Sequence, residues 1–321
     1  MKFSKDLIKI DPASETERII KSLKEEVAFR MRKKGAVIGV SGGIDSSVVL
    51  GLCVKAFGAE RVFALMLPEK DSSPDSLSLA KLLAEKFSVR YAVEEISDAL
   101  HGFGCYRRRD EAVKNVFPEY DNSYKMKISI PKDDDKKGLL NFFQLTMISP
   151  DDEEKTTRLP LKEYLQIVAA SNFKQRSRMA MLYYYAELKN YCVIGTGNKN
   201  EHEQGFFVKH GDGAADIKPI AHLFKSQIYQ LAEYLDIPEE IKKRTPTTDT
   251  YSAEQTQEEF FFRMPFEVLD RIWFGWEKDY PSSEIAEALD LNEAQVNLVI
   301  DDIKRKIKTT EYLRQEPISI K

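Results

Sequence analysis

Residues 36–50, AVIGVSGGIDSSVVL, constrain the fold more than any other part of this chain. An apolar run ends at the Ser-Gly-Gly of residues 41–43, and a second apolar run with helical spacing follows it. This pattern predicts a buried strand, a tight glycine turn and the first turns of a helix. Glycines allow the backbone to turn sharply and to approach a ligand closely, and the unpaired N–H groups at a helix N-terminus favour an anion. The stretch therefore predicts a phosphate-binding loop.

The polar residues of this loop narrow the kind of anion site. Ser41, Ser46 and Ser47 offer hydroxyl donors. The charge of Asp45 would repel a phosphate unless a divalent cation lies between them. The loop lacks the Gly-Lys-Ser/Thr ending of a Walker motif, which excludes that class of nucleotide-binding protein. An ordinary capped strand-to-helix turn is the simpler alternative, but it does not account for this combination of residue types.

Strands and helices alternate with short connections through most of the chain. Apolar runs predict further strands at residues 62–68, 89–93 and 191–197. Helical periodicity is expected over residues 14–33, where Ser14 or Thr16 is the predicted cap. This alternation predicts an α/β fold with a doubly wound parallel sheet. Ligands of such sheets bind at the C-terminal edge of the strands, where the loop of residues 41–46 is expected.

Composition excludes several classes of protein. The chain has 321 residues, 42% of them hydrophobic, and a net charge of -4, so it has no global basic field for nucleic acid. Its three cysteines show no metal-ligand spacing and suit a reducing compartment. We find no signal peptide and no apolar run long enough to span a membrane. The sequence thus predicts a cytoplasmic protein that binds neither nucleic acid nor a membrane.

Residues 110–160 interrupt the alternation. Charge runs at residues 132–137 and 151–155 flank the apolar patch 139–143, and they predict solvated loops rather than metal sites. We expect an insertion here, either a surface lid or an oligomer contact, in a domain that spans residues 1–260. Residues 261–321 are expected to form a C-terminal helical extension of the same domain.

A second group of polar residues is expected at the same edge of the sheet. The strand at residues 191–197 ends in Gly-Thr-Gly, and the helix that follows it carries Glu201. A carboxylate at this position would complete a cation site with Asp45. The loop of residues 205–220 contains the motif GDGAAD, and Lys225 begins the next helix.

The order and spacing of these motifs resemble the NAD synthetase family, within the ATP pyrophosphatases that cleave ATP between its α- and β-phosphates. The resemblance is carried by residues 39–46, Gly195-Thr196, Glu201, residues 205–209 (GFFVK), residues 211–217 (GDGAADI), Lys225 and Pro246-Thr247. It covers residues 14–105 and 165–250 well and the C-terminus loosely. It implies a Rossmann-like fold of the adenine nucleotide alpha hydrolase type.

The resemblance also implies a reaction and its residues. The family converts deamido-NAD, ATP and ammonia into NAD, AMP and pyrophosphate through an adenylated carboxylate, with Mg²⁺ as cofactor. The implied ATP-binding residues are Gly39, Val40, Ser41, Gly42, Gly43, Ile44, Asp45, Ser46, Thr196, Lys225 and Thr247. Asp45 and Glu201 are the implied Mg²⁺ ligands, and Asp45 and Lys225 the implied catalytic residues. Arg176, Lys209 and Asp216 are the implied contacts to deamido-NAD.

Three features depart from the family pattern, all on the side of the acyl acceptor. The insertion is long, residues 254–263 follow the family only loosely, and Leu313 stands where the family usually has a lysine. An amidotransferase of the same superfamily that acts on another carboxylate, of a nucleotide sugar or a secondary metabolite, is therefore the alternative. No cysteine stands in a glutaminase context, so free ammonia or a separate glutaminase is the expected nitrogen source. The resemblance further implies a homodimer with deamido-NAD at the subunit interface.

Residues 281–296 predict two capped helices joined by a short turn, which introduces a hypothesis of another class. A DNA-binding regulator that senses a nucleotide would use such a pair. The second helix, however, carries Glu293, Asp301 and Asp302, which make a poor groove-reading face. The simpler interpretation is a helical hairpin that packs on the core or on a second subunit.

Overall fold

The computed structural model describes residues 2–130, 143–248 and 250–320. Within these residues the strands are β1 (Ala36–Gly39), β2 (Val62–Met66), β3 (Arg90–Val93), β4 (Lys125–Ser129), β5 (Gln144–Ile148), β6 (Glu154–Arg158) and β7 (Cys192–Ile194). The α-helices are α1 (Pro12–Lys24), α2 (Ile44–Phe57), α3 (Pro74–Lys86), α4 (Ser97–Gly102), α5 (Cys105–Val116), α6 (Leu161–Lys189), α7 (Lys199–Gln204), α8 (Lys225–Tyr234), α9 (Glu239–Lys242), α10 (Phe266–Glu277), α11 (Ser282–Leu289), α12 (Glu293–Thr309) and α13 (Glu311–Arg314).

The central sheet has the order β3-β2-β1-β7, and its strands are all parallel. Alternate residues of each strand point to opposite faces, and both faces of β1, β2 and β7 are buried, whereas the edge strand β3 is mostly exposed. Ile38 belongs to the apolar cluster that holds α1, α2 and α8, whereas its neighbour Val37 belongs to the cluster that holds α6. Helices thus cover both sides of the sheet, and the predicted doubly wound α/β fold is confirmed.

The first helix differs from its prediction at both ends. It begins at Pro12, because the side chain of Asp11 accepts hydrogen bonds from the backbone N–H groups of Ala13 and Ser14. The predicted caps Ser14 and Thr16 are therefore wrong, since both lie inside the helix. After Lys24 the chain continues as one π-helical segment, Glu25–Arg30, and the helix ends before residue 33.

A second sheet occupies much of the predicted insertion. It has the order β4-β5-β6, is antiparallel, and packs on α5 and the start of α6. The acidic run at residues 151–155 is exposed as predicted, but it is not all loop, because Glu154 begins β6. The charge run at residues 132–137 and most of the apolar patch at residues 139–143 lie outside the described residues.

The predicted helix pair near the C-terminus is present as α11 and α12. Val296 and Ile300 of α12 are buried with Ile285 of α11 and with Ile272 of α10. The pair therefore packs on the body of the protein, as the simpler interpretation expected. No helix in the described ranges combines the length and apolarity that crossing a bilayer requires.

The predicted glycine turn joins β1 to α2. Gly42 adopts φ of +74°, a left-handed conformation that side chains disfavour. A Cβ at Gly42 would lie 2.6 Å from the backbone oxygen of Ser76, so the loop packs tightly on the start of α3. Gly43 is the N-cap of α2 at φ of −88°, and a Cβ there would meet only Ser41 Oγ at 3.4 Å.

This difference between two adjacent glycines gives a matched test. We expect Gly42→Ala to lower the free energy of unfolding of the ligand-free protein by about 1–3 kcal/mol, through backbone strain and the clash with Ser76. Gly43→Ala should cost less than about 1 kcal/mol, because alanine is only a poorer N-cap. Chemical denaturation measures both values, and equal losses for the two variants would contradict the described loop.

Candidate active site

A cavity of about 560 Å³ opens at the C-terminal edge of the central sheet. The turn between β1 and α2 forms one wall, and the segments that follow β2 and β7 form two others. The cavity-lining residues of the predicted ATP set are Gly39, Val40, Ser41, Gly43, Ile44, Asp45, Ser46, Thr196, Lys225 and Thr247. Gly42 is not among the lining residues, since it faces α3. The structure thus brings most of the predicted nucleotide site together.

Asp45 and Lys225 form an ion pair at the floor of this cavity. Lys225 Nζ lies 2.5 Å from Asp45 Oδ2, and its side chain is 1% exposed. The other carboxylate oxygen, Asp45 Oδ1, accepts a hydrogen bond of 3.0 Å from Asn198 Nδ2. The two residues lie in the first turns of α2 and α8, so the pair joins the start of two helices that are 180 residues apart in sequence.

Glu201 belongs to the same group through the first turn of α7. Asn198 caps this helix by accepting from Glu201 N, and Glu201 Oε2 accepts from Asn198 N at 3.2 Å. Glu201 Oε1 accepts from Gln257 Nε2 at 3.3 Å. The capping box therefore fixes the carboxylate of Glu201 beside the pair formed by Asp45 and Lys225.

The charges of this group influence one another strongly. Burial, together with the charge of Asp45, raises the pKa of Glu201 to about 8. Burial alone would lower the pKa of Lys225, but the carboxylates of Asp45 and Glu201 raise it above its ordinary value. The site therefore holds a buried ammonium beside two carboxyl groups, and added positive charge would favour the ionised form of Glu201.

A closed metal site is not present in the described part of the chain, since no three His, Cys, Asp or Glu side chains there converge on one point. The carboxyl groups of Asp45 and Glu201 nevertheless lie near each other in an open cavity. This donor set fits Mg²⁺, which typically takes one or two carboxylates and completes its shell with substrate phosphates and water.

One face of α6 lines the cavity over much of its length. The lining residues recur at helical spacing: Tyr164, Val168, Ser171, Asn172, Gln175, Arg178, Met179 and Leu182. Ser171 Oγ and Gln175 Oε1 are buried without a hydrogen-bond partner among the described residues, and so is Thr248 Oγ1 on the facing wall. A bound ligand would supply the missing partners, since buried polar atoms are rarely left unpaired.

The three residues expected to contact deamido-NAD lie outside the cavity. Arg176 is on the exposed side of α6, and its Nε donates to the backbone oxygen of Lys209 at 3.3 Å. Lys209 Nζ donates to the backbone oxygens of Tyr312 and Gln315. Asp216 accepts from Val193 N at 2.8 Å and from the hydroxyl of Tyr183 at 3.2 Å, so it ties the middle of β7 to α6.

Several cavity cations were not assigned from the sequence. Arg178 donates to the backbone oxygen of Leu67 and to Ser72 Oγ, and Arg244 Nη2 donates to Ser76 Oγ at 2.9 Å. Lys218 also lines the cavity, and burial lowers its pKa against the opposing charge of Asp212. The sequence did contain a signal for Arg178, because its helical spacing from Ser171 and Gln175 places all three on one face of a helix. It contained no such signal for Arg244, which stands in an irregular segment.

A buried ionic cluster holds two walls of the cavity together. Lys174 is 0% exposed, and its ammonium lies 2.9 Å from Glu69 Oε1 and 2.7 Å from Asp71 Oδ2. The same ammonium donates to the backbone oxygen of Thr250 at 3.0 Å. Burial alone would raise the pKa of Asp71, but Lys174 and Arg109 lower it below its ordinary value. The segment after β2 and the segment around Thr250 are thereby fixed to α6.

Comparison with known proteins agrees with this geometry. The family described as NAD synthase matches residues 15–119 and 143–317 of this chain. A relative from Rhizobium meliloti (strain 1021), named NH(3)-dependent NAD(+) synthetase, is 48% identical over 315 residues, which cover 98% of this chain and 94% of that protein. One of the same name from Thermotoga maritima is 38% identical over 268 residues, which cover 84% of this chain and 89% of that protein.

Solved structures share the fold at lower identity. The NH3-dependent NAD synthetase from Campylobacter jejuni, in complex with the nitrate ion, superposes with a TM-score of 0.63 at 24% identity and covers 97% of this chain and 100% of that chain. The NMN synthetase from Francisella tularensis has a TM-score of 0.61 at 23% identity and covers 97% of this chain and 99% of that chain. The sequence match, the α/β fold and the charged group around Asp45 lead to one conclusion: this chain belongs to the NAD synthase family.

Proposed function

We propose that this protein amidates deamido-NAD to NAD, using ATP and ammonia and releasing AMP and pyrophosphate. The observation that supports this proposal most directly is the group of Asp45, Lys225 and Glu201 beside the phosphate loop. It places a cation and two carboxylates where the phosphates of ATP would lie. The relatives that cover most of this chain are named NH(3)-dependent NAD(+) synthetases. The alternative of another carboxylate acceptor is not favoured.

The reaction proceeds in two steps. An oxygen of the carboxylate on the pyridine ring of deamido-NAD attacks the α-phosphorus of ATP. The bond between the α-phosphorus and the oxygen that bridges it to the β-phosphorus breaks, and pyrophosphate leaves. Ammonia then attacks the acyl carbon of the adenylate, loses a proton, and expels AMP. Both leaving groups are anionic, so the first requirement of the site is to stabilise negative charge that develops on phosphate oxygens.

The residues on the cavity floor fit this requirement. The ammonium of Lys225 and the N–H groups at the start of α2 would stabilise the leaving pyrophosphate. Asp45 and Glu201 would hold Mg²⁺, which supplies charge neutralisation between the phosphate groups when bound. Asn198 keeps Asp45 oriented through its 3.0 Å hydrogen bond. No covalent nucleophile is required, so catalysis consists of positioning and electrostatic stabilisation.

The state of the three cysteines favours ammonia over glutamine as the nitrogen source. Cys53, Cys105 and Cys192 are buried and unpaired. Burial raises the pKa of Cys105 to about 11 and that of Cys192 to about 12, and it raises the pKa of Cys53 as well. A glutaminase needs a reactive thiolate, and none of these thiols provides one. Glutamine would therefore require a separate subunit to release ammonia.

A homodimer accounts for the position of Arg176. At about 100° per residue, five exposed residues of α6 fall within an arc of about 100°: Leu165, Ala169, Arg176, Ala180 and Tyr184. Leu165 and Tyr184 are each 55% exposed, and Phe103 beside them is 52% exposed and stacks on Phe173. Exposed apolar bands of this kind favour association. In a dimer formed through this face, Arg176 would reach a substrate held between the subunits.

The first test measures the reaction itself. With Mg²⁺-ATP and ammonium, we expect pyrophosphate release that depends on deamido-NAD and yields NAD in equal amount. A folded protein that binds ATP but forms no NAD would contradict the proposed substrate. Only the proposed binding of ATP by the phosphate loop would then remain supported.

The second test concerns Glu201. We expect Glu201→Gln to lower kcat by about 10²-fold and to raise the Mg²⁺ concentration needed for half-maximal rate, because a charged ligand is lost next to developing charge. Glu203→Gln is the matched control, since Glu203 lies in the same helix and pairs with Lys199. Steady-state rates at several Mg²⁺ concentrations measure both. Equal behaviour of the two variants would argue against a metal ligand at Glu201.

The third test concerns the dimer. Wild-type protein is expected to sediment as a dimer at micromolar concentration, and Leu165→Asp combined with Tyr184→Asp should sediment as a monomer with little activity. Leu298→Asp is the control, because Leu298 is 70% exposed on α12, away from this face. A monomeric wild type with full activity would refute the dimer through α6.

A further inference from the structure

We propose that the turn of residues 310–315, which we name the C-terminal clasp, positions the α7 wall of the active site, and that Arg314 is its central positioning residue. The structural part of this inference stands on contacts within the chain. Its catalytic part rests on the proposed function, because it assumes that α7 carries a group needed in the amidation.

The guanidinium of Arg314 joins the ends of two helices. Its Nη1 donates to the backbone oxygens of His202 at 3.2 Å and Glu203 at 2.8 Å, in the last turn of α7. Its Nη2 donates to the backbone oxygen of Ile307 at 2.7 Å, in the last turn of α12. Carbonyls in the last turn of a helix lack partners within it and carry the negative end of the helix dipole. One cation therefore satisfies both helix ends.

Two further contacts fasten the same segments. Lys209 Nζ donates to the backbone oxygens of Tyr312 at 2.9 Å and Gln315 at 3.1 Å. Gly205 ends α7 at φ of +77°, and a Cβ there would lie 2.3 Å from Thr310 Cβ. Thr310 is itself held, since its Oγ1 accepts from Arg314 Nη1 at 3.1 Å and donates to the backbone oxygen of Lys306 at 2.7 Å. The clasp thus packs on and hydrogen-bonds to α7 and the residues just after it.

The held segment needs such support. Helix α7 has only six residues, and a helix of that length has little stability of its own. Its N-terminal end is fixed by the capping box between Asn198 and Glu201, and through Asn198 to Asp45. Its C-terminal end is fixed by Arg314. The position of the Glu201 carboxylate is therefore determined from both ends of the helix.

The clasp also shapes the cavity directly. His202, Gly205, Phe206, Phe207 and Val208 line the cavity, and all of them lie between the capping box and Lys209. Clasp residues themselves do not line it, so their effect on catalysis must pass through α7 and residues 205–208. This makes Arg314 a positioning residue, which acts on the cavity through its hydrogen bonds to α7.

The test compares Arg314→Ala with Arg314→Lys and with Arg305→Ala. Arg305 is an exposed arginine on α12 that pairs with Asp302, so its loss removes the same charge without touching α7. Amide hydrogen exchange is followed in residues 199–209, and kcat, KM for ATP and the Mg²⁺ requirement are measured on the same proteins.

We expect Arg314→Ala to accelerate exchange in residues 199–209 by roughly tenfold or more, since hydrogen bonds from a charged donor are lost. Exchange in α2 should be unchanged. We expect kcat to fall about ten- to a hundredfold and the Mg²⁺ requirement to rise, because Glu201 is displaced. KM for ATP should stay within about threefold of the wild-type value. Arg314→Lys should recover part of both losses, since lysine keeps the charge but lacks the planar fork.

Two results would overturn the inference separately from the proposed function. Unchanged exchange in Arg314→Ala would refute the clasp. Faster exchange with unaltered kcat and Mg²⁺ requirement would refute its positioning role. If wild-type protein forms no NAD, the proposed function fails, and the exchange comparison still decides whether the clasp holds α7.

Discussion

The ion pair between Lys225 and Asp45 is the interaction on which the site depends, because it lies where three helices begin. Asp45 is in the first turn of α2, Lys225 starts α8, and Asn198, which donates to Asp45, caps α7. Three positive helix ends and a buried ammonium would attract phosphate strongly. The carboxylates of Asp45 and Glu201 offset that field locally. Under the proposed function, the same few side chains would bind both an anionic substrate and its divalent counter-ion.

The sequence predicted the parts of this site that follow regular patterns. The strand, the glycine turn and the start of α2 could be predicted from residues 36–50. The spacing of the apolar residues and the glycines between them indicate the same strand-turn-helix unit there. Glu201 was expected beside Asp45 for a topological reason, since parallel strands deliver their loops to one edge. The second sheet was missed, because its exposed strand β6 carries only polar or charged residues and gives no apolar pattern. The π-helical segments, Glu25–Arg30 and Glu258–Phe262, have no distinct periodic signal either.

Tertiary contacts explain what no local pattern could show. Arg244 reaches the cavity only because the segment after α9 folds back to it, and Lys174 joins segments that are about a hundred residues apart in sequence. Lys209 has contacts that its motif did not predict. The resemblance implies a substrate contact for it, and in the structure its ammonium donates to two backbone oxygens near the C-terminus. A motif gives the position of a residue in the sequence, but the contacts of that residue depend on which distant segments pack against it.

Helix α6 presents two contrasting faces. One face lines the cavity from Tyr164 to Leu182, and its buried middle holds the Lys174 cluster. The other face presents an exposed apolar band with Arg176 within it. Any movement of α6 that accompanies association would be transmitted to the cavity, since a closely packed helix moves as a unit. Association and substrate binding would then be linked through one rigid element, and a monomer would retain the phosphate loop while lacking a complete acceptor site.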